Sequence, residues 1–377
     1  MTYFIFTLGC QMNISDSQRI ATKLNELGYK PAPTVEEANL VVVNSCSVRQ
    51  KGIDRIWGAI KKYKANNQKI LITGCVLESD RKKYAARNVP FLHIDDLPRF
   101  SPVILEPSGD STTGIHILDS ESGYQPVQND TIKHYLDIVP EMSGSIAYIP
   151  IMTGCDNFCS YCAVPYTRGR EVSRSIDDIL VEAKSALDKG FKEIWLLGQN
   201  VNSFGKIKNS ELKIQNNGFI ELLNMIDNLD GDFVFNFISS NPQDMGDDLV
   251  DCFSGLKKWN KELHLAMQSG DNEILRRMNR KETNEEFLAL VDKLKLKIDG
   301  LKLSTDIIVG FPGETEEQFN HTLNACQKIG FEKAYVNQYS PRVGTVSAKM
   351  DDNVPREEKM RRWKLLDTLM NHKKKRT

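Results

Sequence analysis

The chain reads as α/β: an N-terminal open parallel sheet with helices on its faces, followed by a partial six-stranded (β/α) barrel. Three observations predict this. Short apolar, β-branched runs alternate with helix-length amphipathic stretches along most of the 377 residues. Each of the first three strand candidates runs directly into a cysteine. A weakly periodic stretch rich in Ser, Gly, Pro and Asp then separates this region from six further strand–helix alternations. The expected domains are 1–125 and 146–377, with a linker at 126–145.

Bulk properties narrow the function classes. With 40% hydrophobic residues the chain can bury substantial cores. A net charge of −1 provides no whole-protein field to recruit nucleic acid, so any RNA contact must come from local patches. No apolar run reaches the ~18 residues that suggest a membrane span. The N-terminus "MTYFIFTLGCQMN" lacks the regions of a signal peptide. A cytosolic monomer without membrane contact is expected, in which eight cysteines serve as thiols or metal ligands rather than a disulfide framework.

In order along the chain, "YFIFTLG" runs into Cys10, "NLVVVNS" into Cys46 and "KILITG" into Cys75. The spacing predicts a helix after Cys10, capped by Ser15 or Asp16, with Ile20, Leu24 and Leu27 on one face and Gly28 at its end. In open parallel sheets the strand C-terminal ends lie together, and ligands bind there. Three cysteines at three such ends point to a ligand cluster; the bland alternative is three small buried hydrophobes. From about 100 to 145 the sequence reads as a linker with a strand or two. Six strands are then predicted at "IAYIPIM", "EIWLL", "FVFNFI", "LHLAM", "LSTDIIVG" and "AYVNQY". Between them lie helices such as "SIDDILVEAKSALDKG" and "TEEQFNHTLNACQKIG".

The stretch "GCDNFCSYC" directly follows the first of these six strands and places Cys155, Cys159 and Cys162 around one centre. Soft thiolates in this spacing suit an iron–sulfur cluster or zinc. Zinc needs a fourth Cys or His, and none occurs from Ala163 to Phe191; Cys252 and Cys326 fall in predicted helices and read as buried thiols. A structural zinc site remains the alternative to a 4Fe–4S cluster that keeps one iron open for a substrate.

These three cysteines, with Tyr161 before the last, resemble the signature of the radical S-adenosylmethionine (SAM) enzymes. The resemblance extends over nearly the whole chain. "TLGCQMNISDS", "VVNSCSVR" and "LITGC" are similar to the N-terminal domain of the methylthiotransferases. "GCDNFCSYCAVPYTRGREVSRS" and "LLGQNVNSFG" resemble the tRNA-modifying branch of the MiaB type, which acts on isopentenyladenosine at tRNA position 37. The resemblance implies two 4Fe–4S clusters, one on Cys155, Cys159 and Cys162 and an auxiliary one on Cys10, Cys46 and Cys75. It implies two SAM molecules per turnover, one giving a methyl group and one a 5′-deoxyadenosyl radical that takes the hydrogen from carbon 2 of the adenine. It also implies tRNA as partner and an electron donor such as flavodoxin or ferredoxin. No catalytic side chain is assigned beyond the cluster ligands.

Cofactor contacts are expected where strands end: Gly198, Gln199 and Asn200 after the second strand, Ser239 and Ser240 after the third, Gln268 after the fourth, and Gly310 beside the fifth. The sequence departs from similar members at Asn241, where they carry His, and at Val343, where they carry Pro. In "YTRGREVSRS", Arg168, Arg170 and Arg174 suit phosphate; the alternatives are pairing with Glu171 or Asp177, or, as assigned to Arg170, contact with SAM. The tail reads as a basic helix with Met360, Trp363, Leu366 and Met370 as its buried stripe, ending in "KKKR". The family usually continues after this helix into a small RNA-binding TRAM barrel; this chain is expected to lack it, by truncation or by nature. Rival readings are a methylthiotransferase for threonylcarbamoyladenosine or a ribosomal-protein aspartate, or a non-catalytic iron–sulfur or tRNA-binding relic.

Overall fold

The computed structural model describes residues 1–46, 50–65, 68–100, 134–142, 144–205 and 217–372. The chain forms two compact units: Met1–Gly144 with Tyr166–Arg168, and the remainder from Ser145 onward.

The first unit contains β1 (Thr2–Thr7), α1 (Gln11–Glu26), β2 (Lys30–Pro31), β3 (Leu40–Cys46), α2 (Gln50–Ala65), β4 (Lys69–Cys75) and α3 (Glu78–Ala85). Its strands form a wholly parallel sheet in the order β2-β1-β3-β4. Strand alternation divides the side chains between two cores. Tyr3, Leu40, Val42 and Leu71 pack with Ile20 and Leu24 of α1. Val41, Val43, Ile70 and Ile72 pack with Ile56, Ile60 and Tyr63 of α2 and with Tyr84 of α3. Both faces of β3 are therefore covered, which is why it reads as a continuous apolar run.

Helix α1 starts a turn earlier than Ser15 or Asp16 would allow as caps. Cys10 is its N-cap residue, and Asn13 three positions on accepts the Cys10 backbone N–H at 3.2 Å. Ser15 and Asp16 lie fully buried inside the helix. The predicted end holds, with Gly28 at φ +81° just past the last turn. Within the stretch read as a linker, Tyr135, Leu136 and Ile138 join the first core. The strand or two read there falls in 101–133, outside the described residues.

The second unit opens with β5 (Ile146–Pro150), β6 (Met152–Thr153), the one-turn α4 (Val164–Thr167, shared with the first unit), β7 (Val172–Ser173) and α5 (Ile176–Asp188). It continues through β8 (Glu193–Leu197), α6 (Asn217–Asp227), β9 (Val234–Ser240), α7 (Asp247–Gly255), β10 (Trp259–Leu265), α8 (Asn272–Arg277) and α9 (Asn284–Lys297). It ends with β11 (Lys302–Val309), α10 (Glu316–Ile329), β12 (Lys333–Gln338) and α11 (Arg356–Asn371). All six predicted strands are present, parallel and side by side in chain order, β5-β8-β9-β10-β11-β12. Phe237 stacks on Trp259 in the core, ring centroids 5.5 Å apart at 15°, beside Phe219 and Phe253. Ser175, Thr283 and Thr315 cap α5, α9 and α10 by accepting backbone N–H bonds, each contributing about 1 kcal/mol.

Two expectations change here. Strand β9 runs to Ser240, so Ser239 and Ser240 are its last residues rather than the loop after it. In α11, Leu366 and Met370 are buried as predicted, but Met360 is exposed. Arg362 and Lys359 are buried instead, because each finds carboxylates there: Arg362 meets Glu314 and Glu358 at 2.9 and 2.7 Å, and Lys359 meets Asp352 at 2.6 Å. Trp363 lies along β12 and donates to the Val336 carbonyl at 2.9 Å. The "KKKR" end is outside the described residues. Among the described residues no helix is long and apolar enough to cross a membrane.

Candidate functional site

The first set of cysteines is built by strand register. Cys46 and Cys75 are direct partners at the ends of β3 and β4, so they project on the same side of the sheet. Cys10 stands at the start of α1, just past β1. Asn13 and Asn44 tie these ends together. Asn13 Nδ2 donates to Asn44 Oδ1 and to the Ser45 carbonyl, both at 3.2 Å, and Asn44 Nδ2 returns a bond to the Asn13 carbonyl at 2.7 Å. Gly74, at φ +90°, lets β4 pass close to β3, since a Cβ there would press on Asn44 and Ser45.

The three sulfurs influence one another. Burial pushes the Cys75 thiol up to about 12, Arg168 opposes this, and Cys46 and Cys10 add to it. Arg168 reaches this set directly: its Nε donates to Cys75 Sγ at 2.9 Å, Nη2 to Asp16 Oδ2 at 2.6 Å and Nη1 to the Tyr135 hydroxyl at 3.1 Å. Burial alone would lower the pKa of this guanidinium, but Asp16, Cys75 and Tyr135 hold it well above the usual arginine value.

The second set lies on a loop clamped by the antiparallel pair β6 and β7. Gly154 opens the loop at φ +77°, and a Cβ there would collide with the Arg170 carbonyl. The Cys155 backbone N–H donates to the Gly169 carbonyl at 3.3 Å, and the Cys162 N–H to the Cys159 carbonyl at 2.9 Å. Ser160 anchors the middle: its Oγ donates to the Arg277 carbonyl at 2.8 Å and its N–H to the Met278 carbonyl at 2.9 Å. Tyr161 packs against Ile274, Met278, Phe311 and Tyr339, which holds Cys162 from behind. The Cys155 and Cys162 thiols are pushed up to about 11 and 12, chiefly by burial, with the neighbouring cysteines contributing to both. A bound metal would deprotonate them outright. Among the described residues, no three His, Cys, Asp or Glu side chains close around a single metal ion. Cys252 and Cys326 lie inside α7 and α10; Cys326 is buried as predicted, whereas Cys252 is only half-buried.

The strand ends carry buried polar atoms with no protein partner: Gln199 Oε1 and Asn200 Oδ1 after β8, and Ser240 Oγ at the end of β9. Such atoms call for a polar ligand. Asn200 Nδ2 is already committed to Asp244 Oδ2 at 2.7 Å. Ser239 and Gln268 hold left-handed backbone at φ +70° and +65°. Gln268 also bonds through its backbone to the Asp306 carbonyl and to the Ile308 N–H of β11, at 2.8 and 3.0 Å. Gly198 fits under Met152, 2.6 Å from where a Cβ would stand, and Gly310 sits against the Lys359 stem. Asn241 is a buried link to Asn202, accepting its Nδ2 at 2.8 Å through the backbone carbonyl.

Each of the three arginines meets a carboxylate that the sequence reading did not pair it with: Arg168 meets Asp16, Arg170 Asp156 and Arg174 Glu182. Arg168 and Arg174 are buried, Arg174 bonding Glu182 at 2.7 Å, so neither reaches phosphate. Arg170 is exposed, bonded to Asp156 Oδ1 at 2.6 Å and resting over the Phe158 ring. The sequence reading missed Asp16, Asn13 and Tyr135 behind Cys75, Asp244 beside Asn200, and the buried pair Arg280–Glu282 at 2.6 Å. One signal was available: extending the Ile20–Leu24 stripe backwards puts Asp16 and Asn13 on the buried face of α1.

Comparison with known proteins adds ancestry. The Radical SAM superfamily matches residues 149–326, and the Uncharacterized protein family UPF0004 matches 2–92. The chain is 38% identical to the tRNA-2-methylthio-N(6)-dimethylallyladenosine synthase of Thermoanaerobacter sp. (strain X514), over 98% of the chain and 78% of the relative. It is 40% identical to the enzyme of that name from Acetivibrio thermocellus, over 97% and 76%. Against that of Carboxydothermus hydrogenoformans the values are 38%, 98% and 83%. Among solved structures it is similar in fold to the radical SAM methyltransferase TsrM of Kitasatospora setae with cobalamin and a [4Fe-4S] cluster bound, at TM-score 0.58, 12% identity and coverage of 92% and 76%. The apo form of the cobalamin-dependent radical enzyme OxsB gives a TM-score of 0.59 at 13% identity, covering 99% of this chain and 55% of that one.

Proposed function

Because the chain belongs to the family of the tRNA-2-methylthio-N(6)-dimethylallyladenosine synthases, radical SAM methylthiotransferases, we propose a division of labour between its two cysteine sets in adding a methylthio group to carbon 2 of isopentenyladenosine at tRNA position 37. Cys155, Cys159 and Cys162 hold the radical SAM 4Fe–4S cluster, and Cys10, Cys46 and Cys75 hold an auxiliary one. The observation that carries this is the placement of Cys46 and Cys75 in register at the carboxyl edge of one sheet with Cys10 at the adjoining helix start, alongside a separate three-cysteine loop. When bound, the loop cluster would supply the reducing electron for SAM cleavage, and the auxiliary cluster would carry the sulfur to be transferred, its own or that of an attached sulfide.

The chain's own residues do the rest. Gln199, Asn200 and Ser240 offer unpartnered oxygens at adjacent strand ends, suited to the ammonium and hydroxyl donors of SAM. Asp244 fixes the Asn200 amide, so the remaining Oδ1 is presented in one orientation. Ser239 and Gln268 turn the backbone at the same edge, and Gly198 and Gly310 let it pass close to the Met152 and Lys359 side chains. Cys155 is buried and Cys159 and Cys162 are half-buried, which limits the water that a radical reaction at an unactivated C–H bond must exclude. Arg170 is the exposed arginine of its segment and meets tRNA phosphate or the SAM carboxylate. A flavodoxin or ferredoxin in the cytosol supplies electrons to the monomer.

Anaerobic reconstitution with iron and sulfide tests the assignment. The chain should take up about eight irons, and changing either cysteine set to alanine should leave about four. Cys155→Ala should end SAM cleavage. Cys46→Ala should leave abortive cleavage, with no methylthiolated nucleoside in mass spectra of isopentenylated tRNA. Full methylthiolation by Cys46→Ala would remove the auxiliary site from the reaction.

A further inference from the structure

Behind Cys75 the first unit seals a guanidinium from water. The Arg168 side chain is 3% exposed and its partner Asp16 is 0% exposed. Three contacts fix its plane: Asp16 on Nη2, Tyr135 on Nη1, and Cys75 on Nε. Stability does not explain the arrangement. A buried ion pair of this kind is often no more stable than apolar side chains of the same volume. This one is also incompletely satisfied, since Asp16 Oδ1 is buried without a partner. What the arrangement does achieve is to aim a charged, directional N–H donor at one sulfur.

We infer that Arg168 is a positioning residue that sets the electron affinity of the cluster on Cys10, Cys46 and Cys75; this rests on the reading of those cysteines as ligands. A ligand thiolate gains negative charge when its cluster is reduced. A charge-assisted hydrogen bond to that sulfur, held in a dry pocket, stabilises the reduced form and raises the potential. Tyr135 and Asp16 act through Arg168 by holding its fork. Arg168 lies only six positions past Cys162 in the sequence, so one chain segment supplies both the loop ligand and the donor for the other set.

The test uses the full chain carrying Cys155→Ala, Cys159→Ala and Cys162→Ala, reconstituted anaerobically so that only the first set is loaded. The readouts are iron content and the midpoint potential from a redox titration followed by electron paramagnetic resonance. Arg168→Gln combined with Asp16→Asn removes both charges, so no orphaned carboxylate compromises folding. This double variant should keep about four irons and show a lower potential. Arg168→Lys, which keeps the cation but not the planar fork, should recover part of the shift. An unchanged potential in the double variant overturns the inference. So does equal iron loss in Asp16→Asn alone and in the double variant, because the pair would then serve folding only. A starting protein that binds no iron would defeat the ligand assignment itself, before any Arg168 variant is compared.

Discussion

Single side chains show how differently buried and exposed charges behave in this fold. Arg174 and Glu182 are paired at 2.7 Å with side chains 5% and 0% exposed. Arg174→Met alone should cost ~3–5 kcal/mol, because it strands a buried carboxylate, whereas the double change with Glu182→Gln should cost far less. Urea denaturation of the three proteins measures both. Glu358 gives a pH-dependent case. It is held down from 4.5 to about 2, first by a hydrogen bond from Arg361, with burial opposing and Arg362 assisting. A depressed carboxylate stabilises the fold above its unfolded pKa and loses that contribution as pH falls through the folded one. The stability gap between the wild type and Glu358→Gln should therefore be full at pH 7, shrink below about 4.5 and close near 2. At this scale the six cysteines were legible, since strand ends and spacing mark them. Their supporting polar residues were less so: the helical stripe marks Asp16 as buried but not its partner, Tyr135 carries no local pattern, and only the packed fold brings both to Arg168.

The elements follow local rules where burial is one-sided and depart from them where charges find buried partners. The six strands of the second unit's sheet were readable because short apolar runs stand between helix-length stretches; in β11, Leu303, Ile307 and Val309 turn inward with the buried Thr305 between them. The stripe of α11 was not, because Arg362 and Lys359 took positions that periodicity assigns to apolar residues. The start of α1 was misplaced for a related reason: a cysteine is a poor cap by propensity, yet Asn13 answers its amide. The cysteine loop depends on its hinge in the same way. Gly154→Ala places an L-residue in left-handed backbone at a cost of ~1–2 kcal/mol and drives its Cβ into the Arg170 carbonyl. Reconstituted Gly154→Ala should lose iron from the loop set while the first set still loads, giving about half the wild-type iron.

At the scale of the molecule, two separate cores mean that unfolding need not be a single event. The four tryptophans divide conveniently, with Trp57 in the first unit and Trp195, Trp259 and Trp363 in the second. A variant whose only tryptophan is Trp57 and one lacking just Trp57 should show different urea midpoints by fluorescence; coincident curves would show one cooperative unit. The division itself was only partly legible. The 126–145 stretch is compositionally loop-like, but the aromatic and aliphatic side chains of Tyr135, Leu136 and Ile138 complete the first core. One consequence lies in how Cys46 and Cys75 meet. Their alignment is dictated by seven successive backbone pairings between β3 and β4, so an indel of a single amino acid inside either strand would turn one thiol to the far side of the sheet. A change of loop length outside the two strands leaves this pairing intact, whereas a missing codon in either strand would silence the site without disturbing a single ligand by name.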